Sequence, residues 1–203
     1  MAKLDMSFLP DGISGVWEIT SFTVGKEISQ LLSIMQTGRG VPAGNYKKLS
    51  RGGIVVMSNT PDEIRDFLHF TSTAKGSVLI NGLGLGCVVK VLLDKPEIKK
   101  ITVIEQSKDV IRLVSPYFTD SRLEIIHADA FTYEVPKDAQ YDAVWHDIWD
   151  NICGDNIKEM NQLHKKYKKH TQWQDSWAKK LCQKHNREEK KWEKTKMFLN
   201  RLS

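Results

Sequence analysis

Apolar positions between residues 77 and 147 come in short continuous blocks separated by amphipathic stretches. That rhythm belongs to a parallel sheet whose strands are buried on both faces and joined by helices. The first block, Ser77 to Ile80, runs into Asn81-Gly-Leu-Gly-Leu-Gly86, and a helix over Cys87 to Leu93 is stopped by Pro96. A second strand, Lys100 to Ile104, ends at Glu105, and Ser107 stands where a hydroxyl would cap the next helix, Lys108 to Val114. Arg122 to Ile126 forms a third strand, ending in His127-Ala-Asp129, and Tyr141 to Trp145 a fourth, ending in His146-Asp147. The expected fold is α/β: a Rossmann-like, mostly parallel sheet in the strand order 3-2-1-4.

The flanks have other patterns. Val16 to Val24 alternates like an exposed strand, Gly38 to Gly44 reads as a basic loop, and Lys48 to Met57 as a hairpin or edge strands. Thr60-Pro-Asp-Glu63 predicts a helix start, with Thr60 and Glu63 as a capping box, and a helix to about Phe70. Downstream, Ile157, Met160, Leu163 and Tyr167 fall at helical spacing. So do Trp173, Trp177 and Leu181, with Thr171 and Gln174 as a second capping box. The tail therefore reads as two helices without a strand, and the sheet as shortened after its fourth strand. Its open edge then needs cover from a Trp-bearing helix or from a second subunit in a homo-oligomer. The chain divides into a β-rich extension over 1–58, the Rossmann-like domain over 59–156 and a basic helical tail over 157–203.

At 203 residues, 40% hydrophobic and 27% charged, the chain has the size and composition of one globular domain with an appendage. No apolar run approaches the ~18 residues of a membrane span, and Met1 to Trp17 lacks the pattern of an export signal. Cys87, Cys153 and Cys182 form no close pair, which argues against a disulfide framework and a cysteine metal knuckle. A cytoplasmic protein is the expectation. The net charge of +5 conceals a split: residues 161–203 hold 13 Lys and Arg against 4 Asp and Glu, whereas residues 1–160 hold 17 against 21. Trp173, Trp177 and Trp192 lie among those cations, so the tail could contact a nucleic acid through phosphates and bases, or be a docked helix with a solvated face.

Glycines directly after a buried strand allow main-chain N–H groups and a helix end to approach a ligand closely. Gly82, Gly84 and Gly86 follow G-x-G-x-G, but the dinucleotide fingerprint would put its third glycine where Cys87 stands, which disfavours nicotinamide. Glu105, 19 residues after Gly86, ends the second strand, where an acid can accept two hydrogen bonds from a ribose diol. As a strand-end acid facing a cleft, it is expected to contribute little to the core. Asp129 ends the third strand, where an acid can accept a hydrogen bond from an adenine amino group. Asp147 ends the fourth, where it either caps the next helix or orients an acceptor and takes its proton. His146, Asp147, Asp150 and Asp155 are of types that bind divalent cations, but acids in such a loop are ordinarily just solvated, so no metal is assigned.

With these residues assembled, the segment from about Tyr46 to Asp150 resembles the class I S-adenosylmethionine-dependent methyltransferases, and within them most the spermidine synthase group. Asn81-Gly-Leu-Gly-Leu-Gly86 is similar to the first cofactor motif, Glu105 to the ribose-binding acid, and Asp129-Ala130 to the adenine-binding acid and its neighbour. Tyr141-Asp-Ala-Val-Trp-His-Asp147-Ile-Trp-Asp150 resembles the synthases' fourth-strand motif, and Arg51-Gly-Gly to Arg65-Asp66 their hairpin and helix ahead of the cofactor motif. The resemblance implies S-adenosylmethionine as cofactor, held by Asn81, Gly82, Gly84, Gly86, Glu105, Gln106, Asp129, Ala130 and Asp147, with Asp147 and Asp150 as catalytic acids. It also implies transfer of the methyl group to an acceptor, small or macromolecular, that the sequence does not name. Leu85 stands where spermidine synthases carry an acid inside the glycine motif, which weighs against a decarboxylated donor. Neither an Asn/Asp-Pro-Pro-Tyr element nor a Pro-Cys nucleophile of DNA base methyltransferases is present. Two alternatives stand beside methyl transfer: an aminopropyltransferase whose Asp147 and Asp150 attract a polyamine, and a non-catalytic nucleotide-binding scaffold with a basic recruiting tail.

Overall fold

The structure, a computed structural model, describes residues 4–35 and 41–199. Residues 38–40 of the expected basic loop lie outside the described residues. An antiparallel sheet comes first: β1 (Gly12–Ser14), β2 (Trp17–Val24), β3 (Gly44–Arg51) and β4 (Ile54–Ser58), in that order, with α1 (Lys26–Met35) between β2 and β3. The Lys48 to Met57 stretch forms the expected hairpin. After α2 (Pro61–Thr73) the chain builds β5 (Gly76–Asn81), α3 (Cys87–Leu93), β6 (Ile98–Glu105), α4 (Lys108–Val114), β7 (Leu123–His127) and β8 (Ala143–His146). It closes with α5 (Asn156–Tyr167), β9 (Gln174–Ser176) and α6 (Lys179–Leu199). The second sheet is parallel throughout, in the order β7-β6-β5-β8-β9. This is a Rossmann-like α/β fold.

The continuous apolar runs of β5, β6 and β8 are explained by burial on both faces. Alternate residues serve different cores. Val78, Ile80, Ile101, Val103 and Trp145 pack with Phe67 and Phe70 of α2 and Val89 and Leu92 of α3. Leu79, Ile104 and Val144 pack with Met160, Leu163 and Tyr167 of α5. Ser107 caps α4 as expected, its Oγ accepting from Val110 N–H at 3.2 Å. The antiparallel sheet joins the first core through Ile19 and Leu49, along with Met6 and Leu9 from the preceding segment.

Two expectations fail locally. Thr60 has the extended backbone of a cap, but its side chain bonds no helix N–H; its hydroxyl pairs with Ser58 Oγ at 3.0 Å. A nearer hydroxyl partner therefore displaces the capping box, and α2 continues past Phe70 to Thr73. The second tail helix does not begin at Thr171. Instead Thr171 bridges Tyr141, and Gln174 to Ser176 run parallel to β8, with Val144 opposite Gln174 and His146 opposite Ser176. The open backbone edge of β8 outcompetes helical periodicity because its donors and acceptors need partners. Trp173 still covers the sheet, stacking on Phe70 at 5.4 Å, but from an extended chain. Nor is α6 docked along its length: beyond Cys182, every described side chain through Met197 except Asn186 is exposed.

Candidate functional site

β5 and β8 deliver their carboxyl ends side by side, Asn81 opposite His146. The glycine loop passes between them at φ +98° for Gly82, where a Cβ would lie 1.9 Å from the main-chain oxygen of Asp147. Only glycine fits that approach. At Gly84 (φ +52°) a Cβ would lie 2.2 Å from Met57 Sδ, so the β4 end of the antiparallel hairpin closes over the loop from above.

Glu105, at the end of β6, is 9% exposed. One carboxylate oxygen accepts Leu83 N–H at 2.8 Å and the other Ser107 N–H at 2.7 Å. This corrects the expectation that it contributes little to the fold: it fastens the glycine loop to the start of α4. Next to it, Asp129 accepts Phe131 N–H at 2.6 Å and the Gln106 amide at 3.4 Å. On the opposite side, Asp147 is half-buried, and Trp145 Nε1 donates to its Oδ2 at 3.3 Å. Burial, reinforced by the charge of Asp66 and opposed by the Trp145 bond, pushes the Asp147 carboxyl up to about 7.

These groups share one cavity of about 430 Å³. Its wall includes Gly82, Gly84, Glu105, Gln106, Asp129, Ala130, Asp147 and Asp150, which the sequence singled out. Asn81 and Gly86 are not on the wall. Asn81 is fully buried, its amide donating to His146 Nδ1 at 2.8 Å and its Oδ1 accepting from Tyr167 OH at 3.3 Å. Gly86 has φ +77° at the head of α3, tight against the Phe118 ring. Both shape the loop from behind. His146 is turned away from Asp147 and Asp150: Nε2 meets Gln174 Oε1 at 3.1 Å, and burial pushes the imidazole down to about 3. Among the described residues no three His, Cys, Asp or Glu side chains group to hold a metal ion.

Sequence reasoning missed the roof and the far wall. Trp17, Arg51 and Met57 descend from the antiparallel sheet, Glu63 and Phe67 come from α2, and Trp149, Glu159 and Trp177 complete the site. Arg51 pairs with Asp150 and lies 5.4 Å over the Trp17 ring; Trp149 Nε1 donates to Glu159 at 2.7 Å. Long-range pairing brings these together, and the sole linear signals were Arg51-Gly-Gly and the tryptophans of Asp147-Ile-Trp-Asp150 and Trp177. Chemically, the site offers hydrogen-bond acceptors along one side, a carboxyl pushed up to about 7 on the other, and, among the described residues, a single cationic side chain at the mouth.

No protein-family model matches the sequence, and no curated protein matches it. Solved structures with a similar backbone include a spermidine synthase from Thermotoga maritima, at 16% identity and TM-score 0.46, over 80% of this chain and 52% of that one. Another is a dimethyladenosine transferase from Plasmodium falciparum, at 22% and 0.41, over 54% and 37%. A third is the plantazolicin methyltransferase BpumL in complex with SAH, at 17% and 0.37, over 54% and 39%. The chain thus spans about half or less of each of these three structures.

Proposed function

We propose that this chain binds S-adenosylmethionine and transfers its methyl group to an acceptor. The observation that carries the reading is the fusion of Glu105 with the glycine loop at the wall of a 430 Å³ cavity, between Asp129 on one side and Asp147 on the other. The residues present fit a nucleoside. Each Glu105 oxygen accepts one main-chain N–H and keeps a further lone pair for a ribose hydroxyl. Asp129 offers an acceptor for an exocyclic amine, Ala130 and Phe131 an apolar surface beside it, and Gly82 and Gly84 a close approach of the main chain. When bound, S-adenosylmethionine supplies an electrophilic methyl group. Asp147, with its carboxyl at about 7, is matched to accepting a proton from an acceptor near neutral pH. Calorimetric titration with S-adenosylmethionine and with NAD tests the reading: saturable binding of the former in preference to the latter is expected, and preference for NAD, or binding of neither, refutes it.

The acidic and aromatic far wall, with Asp147, Asp150 and Glu159 among Trp17, Trp149 and Trp177, favours a cationic acceptor and keeps aminopropyl transfer as a second reading. Leu85 weighs against it, being fully buried and absent from the cavity wall, so the glycine loop brings no acid to the donor's amine. Incubation with decarboxylated donor and putrescine decides: release of methylthioadenosine above background supports it, and none eliminates it.

The exposed length of α6 supports a separate role for the tail as a recruiting arm for nucleic acid, with Trp192 68% exposed among Lys190, Lys191, Lys194 and Lys196. Removing residues 190–203 is expected to abolish single-stranded nucleic acid binding and to leave cofactor binding intact; unchanged nucleic acid binding refutes the arm.

A further inference from the structure

Among the described residues, six carboxylates line the cavity, Glu63, Glu105, Asp129, Asp147, Asp150 and Glu159, against one cation, Arg51. The cation is held in place by design of the ladder. Trp17 and Arg51 are directly opposed in the β2–β3 register, which lays the guanidinium 5.4 Å from the indole ring, and Asp150 pairs with it from the end of the β8 loop. The Arg51 side chain is 51% exposed and Asp150 36%, and an ion pair that open to water stabilises a fold by only ~0–1 kcal/mol. Stability therefore does not account for the pair.

The order of strand ends suggests what does. Across the sheet, β7, β6, β5 and β8 present Asp129, Glu105, the glycine loop and then Asp147 with Asp150. A nucleoside whose base lies by Asp129 and whose ribose lies by Glu105 carries its 5′ substituent past Gly82 toward β8, under Arg51. In S-adenosylmethionine that substituent ends in a zwitterionic amino acid. We infer that Arg51 and Asp150 form the receptor for this amino-acid end, Arg51 taking the carboxylate and Asp150 the ammonium, so that Arg51 selects the intact donor over a decarboxylated one. The guanidinium has five N–H donors and can serve a ligand carboxylate without releasing Asp150. Arg51 is thus a specificity-determining residue, and Asp150 both orients it and receives the ligand's ammonium. Leu85 agrees with this assignment, since a loop that offers no acid for a lone amine is matched by a mouth that offers a cation for a carboxylate.

The inference rests on the proposed nucleoside site, and the test separates the two. Wild type, Arg51→Gln and Arg51→Lys are titrated by calorimetry with S-adenosylhomocysteine, which carries the amino acid, and with methylthioadenosine, which lacks it. Arg51→Gln is expected to weaken S-adenosylhomocysteine about 10- to 100-fold and leave methylthioadenosine unchanged, with Arg51→Lys recovering part of the loss. Equal weakening of both ligands would make Arg51 a prop for the cavity and overturn its role in selection. Unchanged affinity for both would overturn it as well. Failure of wild type to bind methylthioadenosine or S-adenosylhomocysteine would instead defeat the nucleoside site itself. Retained methylthioadenosine binding in each variant doubles as the check that it has folded.

Discussion

Glu105 accepts a hydrogen bond from the main chain of Leu83, so the acid at the end of β6 fixes the conformation of the loop at the end of β5. With Ser107 N–H on its other oxygen, the carboxylate is at once a strut between two strand ends and a wall of the cavity. Any ligand that reaches Glu105 meets a group already oriented by the fold, which lowers the ordering cost of binding.

Replacement of Glu105 is expected to damage both fold and binding. Glu105→Ala strands two main-chain donors, at roughly 1–3 kcal/mol each where water is excluded, so a loss of about 2–4 kcal/mol of stability should appear as a lower denaturant midpoint. Glu105→Gln keeps one acceptor oxygen and should lose about half as much. Equal midpoints for wild type and Glu105→Ala would show that the strut carries no load.

Asp147→Asn separates chemistry from binding. The amide keeps an acceptor for Trp145 Nε1 but cannot take a proton, so turnover should fall by ~10²–10⁴ while S-adenosylmethionine affinity holds. In wild type the rate should rise with pH through about 7 as Asp147 ionises. A pH profile without that rise, together with normal turnover in Asp147→Asn, would remove Asp147 from the reaction.

Stability against pH pits Asp147 against two histidines, His146 and His164. His146, pushed down to about 3 from its ordinary 6.5, contributes stability that is complete above 6.5 and is lost as pH falls toward 3; His164, pushed down to about 4, acts in the same sense. Asp147, raised from 3.8 to about 7, contributes stability that is complete below 3.8 and is lost as pH rises through 7. Near pH 5 each slope approaches ~1.4 kcal/mol per unit, with opposite signs, and both shrink toward pH 7. Asp147→Asn should therefore become less stable from pH 7 to pH 5, and His146→Gln should show a smaller acid loss than wild type. Urea melts at the two pH values measure both, and identical pH dependence in all three proteins would contradict the assignment.

The parallel core was legible because its signals are local: Val78 to Ile80 and Ile101 to Ile104 are buried on both faces, and Ser107 caps its own helix. The acids at strand ends were legible for the same reason, since a break in an apolar block marks where a parallel strand reaches the site. Asn81 misled because a polar residue beside the glycines looks like a ligand group, whereas its amide closes a buried network with His146 and Tyr167. Gln174 to Ser176 misled because a three-residue strand has too few positions to show alternation, and the demand for it comes from the edge of β8. Arg51 and Asp150 are 99 positions apart, and only the register of the antiparallel sheet against the core brings them together.

The most direct test is a crystal structure with S-adenosylhomocysteine bound. The account predicts the adenine beside Asp129, both ribose hydroxyls on Glu105 with its bonds to Leu83 and Ser107 intact, and the sulfur between Gly82 and Asp147. A ligand lodged elsewhere, or one in this cavity whose ribose makes no contact with Glu105, would contradict it.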